Sequence, residues 1–227
     1  MLVLKNDIAI AALVLAFSVF VLYLPVTLLG HTDNPSFNMA RDHLDVANDY
    51  GCTSQCQGYN HMIDPGADGD QIFPLIKTIS NQISKGVVPL WNPYLFTGIP
   101  LAADTTNFAF SPLILFYLLP NALWDIPLLI SVWLAGFFTF LLLRCWKLNF
   151  ISCILGSFFF MFSGTFTWYL PHDSVPVVLF TPLILFSIEK IIQNKNPKFI
   201  MLGSTAVAMA ILGGHIESIA LQMFLCG

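Results

Sequence analysis

The stretch "FAFSPLILFYLL", residues 108–119, decides how the rest of this chain is arranged. It contains 12 residues and is bounded by Asn107 and Pro120. An α-helix of that length measures roughly 18 Å, whereas the hydrocarbon core of a bilayer is about 30 Å thick. Length therefore favours a segment that enters or lies along a membrane without crossing it.

Charge supports the same interpretation. If 108–119 does not cross, every cationic connection after it falls on the same side as Lys5, and if it crosses, this bias is lost. Lysine and arginine are enriched in cytoplasmic loops, so we predict a re-entrant or interfacial segment and a cytoplasmic N-terminus. The cationic connections carry Arg144, Lys147, Lys190, Lys195 and Lys198.

Composition indicates a membrane protein. The chain is 56% hydrophobic and 10% charged, whereas soluble domains have about 25% charged residues. Its net charge of −4 argues against a nucleic-acid partner, because phosphate binding needs a basic surface. We predict an all-α polytopic fold, with residues 1–227 forming a single transmembrane domain. The predicted spans are about 8–29, 126–146, 150–170, 175–192 and 199–225.

A long first outer loop, 30–107, separates the first span from the rest. Ile72, Ile76 and Ile79 lie on one helical stripe, which predicts an amphipathic interfacial helix over about 70–85. The phrase "VPLWNPYLFTGIPLAAD" (88–104) then returns the chain to the lipid, with its aromatic residues at the depth of an aromatic belt.

Asp68 and Asp70 come just before this helix. Two carboxylates so close together can hold a divalent cation through oxygen ligands, or one of them can act as a general base. Asp-Gly-Asp is also ordinary turn and helix-capping chemistry, and spacing alone leaves the three interpretations open.

The predicted topology brings ionisable residues from separate parts of the chain to the outer face. His172 and Asp173 lie in a short turn, which is equally typical of a solvated connection. His215 and Glu217 follow Gly213 and Gly214 inside an apolar run, where ionisable groups are costly and indicate function. The full set on this face is Asp68, Asp70, Asp104, His172, Asp173, His215 and Glu217.

Cys52 and Cys56 stand four residues apart in the polar loop. A disulfide is plausible if the loop faces an oxidising compartment. A structural metal is the other interpretation, although no second cysteine or histidine pair completes a zinc set.

Several motifs together resemble the YfhO family of membrane proteins, a branch of the GT-C glycosyltransferases. They cover most of residues 65–217, and the PLWNPY-x-F-x-G-x-P phrase is the most specific of them. The motifs are "ADGDQIFPLIKTI" (67–79), "GVVPLWNPYLFTGIPLAAD" (86–104), "SPLILFYLLP" (111–120), "FSGTF" (162–166), "TPLILFSIEK" (181–190) and "GGHIE" (213–217).

The resemblance implies a GT-C-like helical bundle that moves a sugar from a polyprenyl-phosphate donor to an acceptor glycan, lipid or protein on the extracytoplasmic face. It implies a catalytic Asp followed by Gln and Pro, which maps onto Asp68, Gln71 and Pro74, with Asp70 as the competing assignment. It also implies a divalent cation, Mg²⁺ or Mn²⁺, at Asp68 and Asp70, and no other cofactor. The substrate-binding candidates are Gln71, Trp91, Asn92, Tyr94, Asp104, His172, Asp173, His215 and Glu217.

Two other functions remain open. A lipid or solute transporter, or flippase, would show internal repeats and helices interrupted at mid-membrane, and the two halves of the chain show no repeat. A non-catalytic membrane scaffold is the third class. Members of the resembled family are longer than 227 residues, which leads us to expect that the chain is the N-terminal part of a larger protein.

Overall fold

The computed structural model of the protein describes residues 2–28, 71–101, 109–120, 123–170 and 172–226. The structure is mostly helical, at 74%, with almost no strand. Among the described residues, two helical stretches are long and apolar enough to cross a membrane, Ile126–Cys145 and Val175–Asn194. The prediction of a helical fold is confirmed at this level.

The strands are β1 (Trp91–Asn92) and β2 (Ile99–Pro100), which form an antiparallel ribbon. A 3₁₀ helix covers Pro112–Leu118. The α-helices are α1 (Leu2–Leu22), α2 (Leu24–Leu28), α3 (Phe73–Ser84), α4 (Ile126–Cys145), α5 (Phe150–Met161), α6 (Gly164–Trp168), α7 (Val175–Val178), α8 (Thr181–Asn194), α9 (Pro197–Leu212) and α10 (Ile216–Cys226).

Local chemistry sets the helix ends in the bundle. Asn149 begins α5 because its side chain accepts a hydrogen bond from the Ser152 amide at 2.8 Å, and Asn196 caps α9 in the same way through Lys198. Such side-chain caps satisfy amides that have no partner inside the helix. Lys195, with φ +48°, ends α8 in the left-handed conformation.

The bundle forms around α4, which packs against α1, α5 and α8. Arg144, at the end of α4, donates to the Asp7 carboxylate near the start of α1 at 2.8 Å. Tyr23, just after α1, donates to the carbonyl of Phe166 in α6 at 3.2 Å. These contacts fix α1 antiparallel to α4.

The cationic connections therefore gather at one end of the bundle. The Sγ of Cys145 lies 3.7 Å from the Gln193 side chain, so α4 and α8 finish side by side. We call this the basic end, defined by Arg144, Lys147, Lys195 and Lys198.

A second, smaller core lies at the start of α4. Phe73 of α3 stacks on Trp124 with ring centroids 6.5 Å apart, and Tyr117 of the 3₁₀ helix meets the same indole edge-on at 5.5 Å. Burial, with the nearby Asp125 carboxylate, raises the pKa of the Tyr117 phenol well above its usual range. This core joins α3 to the end of the bundle opposite the basic end.

Within residues 109–119, the described part of the stretch that opened the sequence analysis, the regular structure is the seven-residue 3₁₀ helix, packed against α3. Ser111 caps it by accepting from the Leu113 amide at 3.4 Å. At about 2.0 Å per residue the helix is roughly 14 Å long. The predicted interfacial helix over 70–85 corresponds to α3, with a proline in its first turn and Gly86 following at φ +73°.

Several predicted spans are divided where the sequence prediction had one helix. The run 150–170 is α5 and α6. The run 175–192 is α7 and α8, which are interrupted only at residues 179–180 and together form the apolar stretch Val175–Asn194. The run 8–29 is α1 and α2, broken at Tyr23, two residues before Pro25. Proline lacks an amide donor and its ring clashes with the preceding turn, so a helix usually ends before it.

The expected single span over 199–225 is also two helices. The break falls at Gly213–His215, where Gly214 has φ +102°, a conformation that glycine adopts without steric cost. After the break, α10 packs against α7 and α8. A continuous apolar sequence concealed this turn.

Candidate functional site

Three predicted residues meet at the end of the bundle opposite the basic end. His172 and Asp173 precede α7, and His215 precedes α10. The Asp173 Oδ1 lies 2.8 Å from the His172 Nδ1 and 3.9 Å from the His215 Nε2. The two imidazole rings have centroids 5.5 Å apart. We call this group the His–Asp–His cluster and this end of the bundle the histidine end.

The turn before α7 holds His172 and Asp173 in place through local hydrogen bonds. The His172 amide donates to the Tyr169 carbonyl at 2.9 Å, and the Val175 amide donates to the His172 carbonyl at 3.1 Å. The Tyr169 ring meets the His172 ring edge-on at 5.6 Å. Ser174 contributes both its hydroxyl, 3.0 Å from the His172 Nδ1, and its amide, 3.2 Å away.

The second turn, at Gly213–His215 before α10, lies close to α7 because of its glycines. A Cβ at Gly213 would lie 3.1 Å from both the backbone of Pro176 and the side chain of Val177. A larger residue would require these neighbours to shift by a few tenths of an ångström. The glycine pair that the sequence analysis singled out thus has a packing role that brings His215 near Asp173.

His215 also caps the helix that follows it. Its Nδ1 accepts a hydrogen bond from the Ser218 amide at 3.1 Å. In a neutral imidazole, one nitrogen accepts and the other carries the proton. With Nδ1 accepting, the proton of neutral His215 is on Nε2, the atom nearer to Asp173.

The Asp173 carboxylate is the most enclosed member of the cluster, with a side chain only 7% exposed. Among the described residues, none donates a hydrogen bond to its Oδ1. A buried charge without hydrogen bonds is costly, so a proton or a cation held between these groups would stabilise the arrangement. The cluster can therefore transfer a proton, bind an anionic group through a charged imidazole, or ligate a metal ion.

A buried glutamine that the sequence analysis did not single out holds the second turn in place. The Gln222 Nε2 donates to the Val177 carbonyl at 3.2 Å and to the Thr181 hydroxyl at 2.8 Å. These bonds tie α10 to α7 and to the start of α8. A polar residue eight positions after Gly214, within an apolar run, was the one available signal.

Glu217 was predicted to join the site, but the structure does not place it among the potential ligands. It lies in the first turn of α10 and is exposed. The group of possible ligand atoms in the described part of the chain contains His172, Asp173 and His215.

The other described candidates belong to the ribbon after α3. Asn92 is buried, and its Oδ1 accepts from the Tyr94 amide at 3.0 Å, which indicates a structural role. Trp91 packs over Gly98, Tyr94 is largely exposed, and Gln71 is exposed just before α3.

An open groove of about 350 Å³ lies between α3 and this ribbon. The Gln82 side chain donates to the Trp91 carbonyl at 2.8 Å, and both residues line the groove. Lys85 and Tyr94 also line it, so the groove combines a cation with aromatic surface.

The remaining predicted residues lie outside the described part of the chain. They are the predicted catalytic and metal-binding Asp68 and Asp70, the substrate candidate Asp104, and the predicted disulfide pair Cys52 and Cys56. These assignments stay predictions.

Comparison with known proteins gave no match to a protein-family model, to a curated protein or to a solved structure.

Proposed function

We propose that the protein is a polytopic membrane glycosyltransferase of the GT-C type, which transfers a sugar from a polyprenyl-phosphate donor to an acceptor on the extracytoplasmic face. The observation that carries the proposal is the meeting of His172, Asp173 and His215 at the histidine end. The motifs resembling the YfhO family supply the reaction class.

The surface of the bundle supports a membrane location. Large apolar side chains point outward from three different helices: Phe17 is 68% exposed, Phe159 is 80% exposed and Met201 is 72% exposed. A water-facing monomer rarely exposes apolar surface so extensively, whereas lipid tails solvate it.

The orientation follows from charge. The positive-inside rule assigns the basic end to the cytoplasm, which puts the histidine end at the outer face. That is the face on which the resembled enzymes use lipid-linked sugar donors.

The reaction would proceed by displacement at the anomeric carbon. An acceptor hydroxyl oxygen attacks that carbon, the bond to the phosphate oxygen breaks with its electron pair remaining on the phosphate, and the configuration inverts. The acceptor proton passes to a general base, which the resemblance assigns to Asp68 or Asp70. A divalent cation at those carboxylates would supply Lewis-acid stabilisation of the leaving phosphate.

The His–Asp–His cluster would bind and orient the reacting groups. His172 and His215 would donate hydrogen bonds from their Nε2 atoms to the donor phosphate, and hydrogen bonds to a charged acceptor are stronger than neutral ones. Asp173 lies between the two rings, 2.8 Å from the His172 Nδ1 and 3.9 Å from the His215 Nε2, and would hold them in position.

One feature favours a second candidate function, a lipid or solute transporter. The break between α9 and α10 interrupts an apolar run at a histidine, and discontinuous helices are typical of transporter binding sites. This break lies at the histidine end, level with the turn before α7, whereas the transporter pattern places it at mid-membrane. We therefore favour the transferase.

The test supplies membranes containing the full protein with radiolabelled polyprenyl-phosphate sugars and measures label in the acceptor fraction. We expect transfer by the wild type and a fall of about 10²- to 10³-fold when His172 and His215 are both changed to alanine, as for loss of a donor that stabilises developing charge. Asp68→Asn with Asp70→Asn should lower transfer by about 10²- to 10⁴-fold, as for loss of a positioned base. Thr167→Ala, an exposed change at the same end, should retain activity.

One result would contradict the transferase proposal, and a different result would contradict the role of the cluster. Label that moves between leaflets on an unchanged lipid would identify a transporter. Transfer that persists undiminished in the double histidine variant would refute the assignment of the cluster.

A further inference from the structure

We propose that His172, Asp173 and His215 form a binding site for a divalent transition-metal ion, separate from the cation expected at Asp68 and Asp70. The three residues each offer one ligand atom, and these atoms lie within 4.8 Å of one another. The inference does not rest on sugar transfer, since it concerns only what these side chains bind.

The first argument comes from the Asp173 Oδ1. It lies 2.8 Å from the His172 Nδ1, yet no described residue, His172 included, directs a hydrogen bond at it. An ordinary imidazolium–carboxylate pair points its N–H at the oxygen. Here nitrogen and oxygen converge side by side, which is the arrangement of two ligands facing a common point.

The second argument comes from the spacing of this pair. Zinc and similar ions bind histidine nitrogen and carboxylate oxygen at about 2.0–2.2 Å. Two atoms 2.8 Å apart subtend an angle of about 84° at an ion 2.1 Å from both. That angle is close to the right angle between neighbouring ligands of an octahedral ion.

The third ligand must move to complete the site. Two bonds of 2.1 Å that meet at a right angle or a tetrahedral angle span about 3.0–3.4 Å. His215, whose Nε2 is 3.9 Å from Oδ1, must approach by about 0.5–1 Å to reach bonding distance. A rotation of its side chain at the glycine turn supplies this movement.

This movement breaks the hydrogen bond through which His215 caps α10. If the metal binds the Nδ1 of His215, it takes the lone pair that now accepts from the Ser218 amide. If the metal binds Nε2, the proton of the neutral ring moves to Nδ1, which can then no longer accept. Either way, the Ser218 amide loses its partner when the ion binds.

The ligand set determines the class of ion. Imidazole nitrogen suits Zn²⁺, Co²⁺ and related ions, whereas Mg²⁺ and Ca²⁺ prefer oxygen ligands. Three protein ligands leave coordination positions open, as in sites that also bind a water molecule or a substrate oxygen.

The experiment titrates Co²⁺ and Zn²⁺ into the metal-free, detergent-purified full protein, with calorimetry for both ions and visible absorption for Co²⁺. The proposal requires that Zn²⁺ binding persists in the Asp68→Asn, Asp70→Asn variant. It also requires that Zn²⁺ binds at least tenfold more tightly than Mg²⁺, and that the affinity for Zn²⁺ falls at least tenfold in Asp173→Asn. The matched control is Glu189→Gln, which removes a carboxylate near the basic end and should leave the affinity unchanged.

A second readout covers the case in which Asp173→Asn fails to fold. Hydrogen exchange in the wild type should show the Ser218 amide exchanging faster with Zn²⁺ bound, the opposite of simple stabilisation. The proposal is overturned if the wild type binds neither ion, if Asp173→Asn and His215→Ala bind as tightly as the wild type, or if all binding disappears with Asp68 and Asp70.

Discussion

At the scale of single residues, the turn of the ribbon depends on the contact between Gly98 and Trp91. Gly98 has φ +98°, and a Cβ built there would lie 2.5 Å from the Trp91 indole. Because the ring occupies the place of a side chain, glycine is required here for both conformation and space. This pairing accounts for the tryptophan and the glycine of the PLWNPY-x-F-x-G-x-P phrase.

We predict that Gly98→Ala opens the ribbon, whereas Gly86→Ala causes only backbone strain. In the described part of the chain, no atom lies within 4 Å of a Cβ at Gly86, although its φ is +73°. The strain at each position costs about 1–2 kcal/mol, and the clash adds to it at Gly98 alone. Hydrogen exchange of the Leu101 amide, bonded to the Leu90 carbonyl at 2.8 Å, should accelerate much more in Gly98→Ala. Equal rates in the two variants would contradict this account.

At the scale of elements, the decisive feature is the seating of α10 on α7. Gly213 permits the close approach, and Gln222 supplies the hydrogen bonds across the contact. The histidine that precedes α10 reaches Asp173 only because this contact forms, so the geometry of the cluster is a property of helix packing.

We predict that Gln222→Ala destabilises the protein by about 1–3 kcal/mol, the cost of leaving buried groups unsatisfied. The Val177 carbonyl and the Thr181 hydroxyl would lose their donor. Thermal unfolding of the purified protein measures the loss, with Asn194→Ala, an exposed side chain at the basic end, as the control. An unchanged melting temperature for Gln222→Ala would show that these bonds do not hold α10.

The elements were predictable where apolar residues recur at helical spacing or where a glycine or proline ends a helix. Ile72, Ile76 and Ile79 gave α3, and Gly86 gave its end. The break at 213–215 was not predictable, because apolar residues continue on both sides and a glycine pair fits equally well inside a close-packed span. The burial of Asp173 could not be read from sequence either, since it depends on a turn some forty residues further along the chain.

At the scale of the whole molecule, the bundle has two chemically different ends. Arg144, Lys147, Lys195 and Lys198 gather at one end, and the His–Asp–His cluster lies at the other. The charge argument that started from residues 108–119 required this separation, and the helix directions fixed by Asp7 with Arg144 and Tyr23 with Phe166 are consistent with it.

We predict that the two ends lie on opposite sides of the membrane. In a cysteine-free background, Thr167→Cys at the histidine end should react with a membrane-impermeant maleimide added to intact cells. Asn194→Cys at the basic end should react only after permeabilisation, and both positions are exposed in the fold. Labelling of both from the same side would contradict the orientation.

The ion pair between Asp7 and Arg144 has a consequence for how the protein is made. Its partners are 137 residues apart, and ribosomes add about 5–20 residues per second. The first helix therefore emerges roughly 7–27 s before the arginine that neutralises its carboxylate. If the first helix inserts in the membrane as proposed, Asp7 has to stay in water at the membrane surface during that interval, and the helix can settle to its final depth only when α4 arrives.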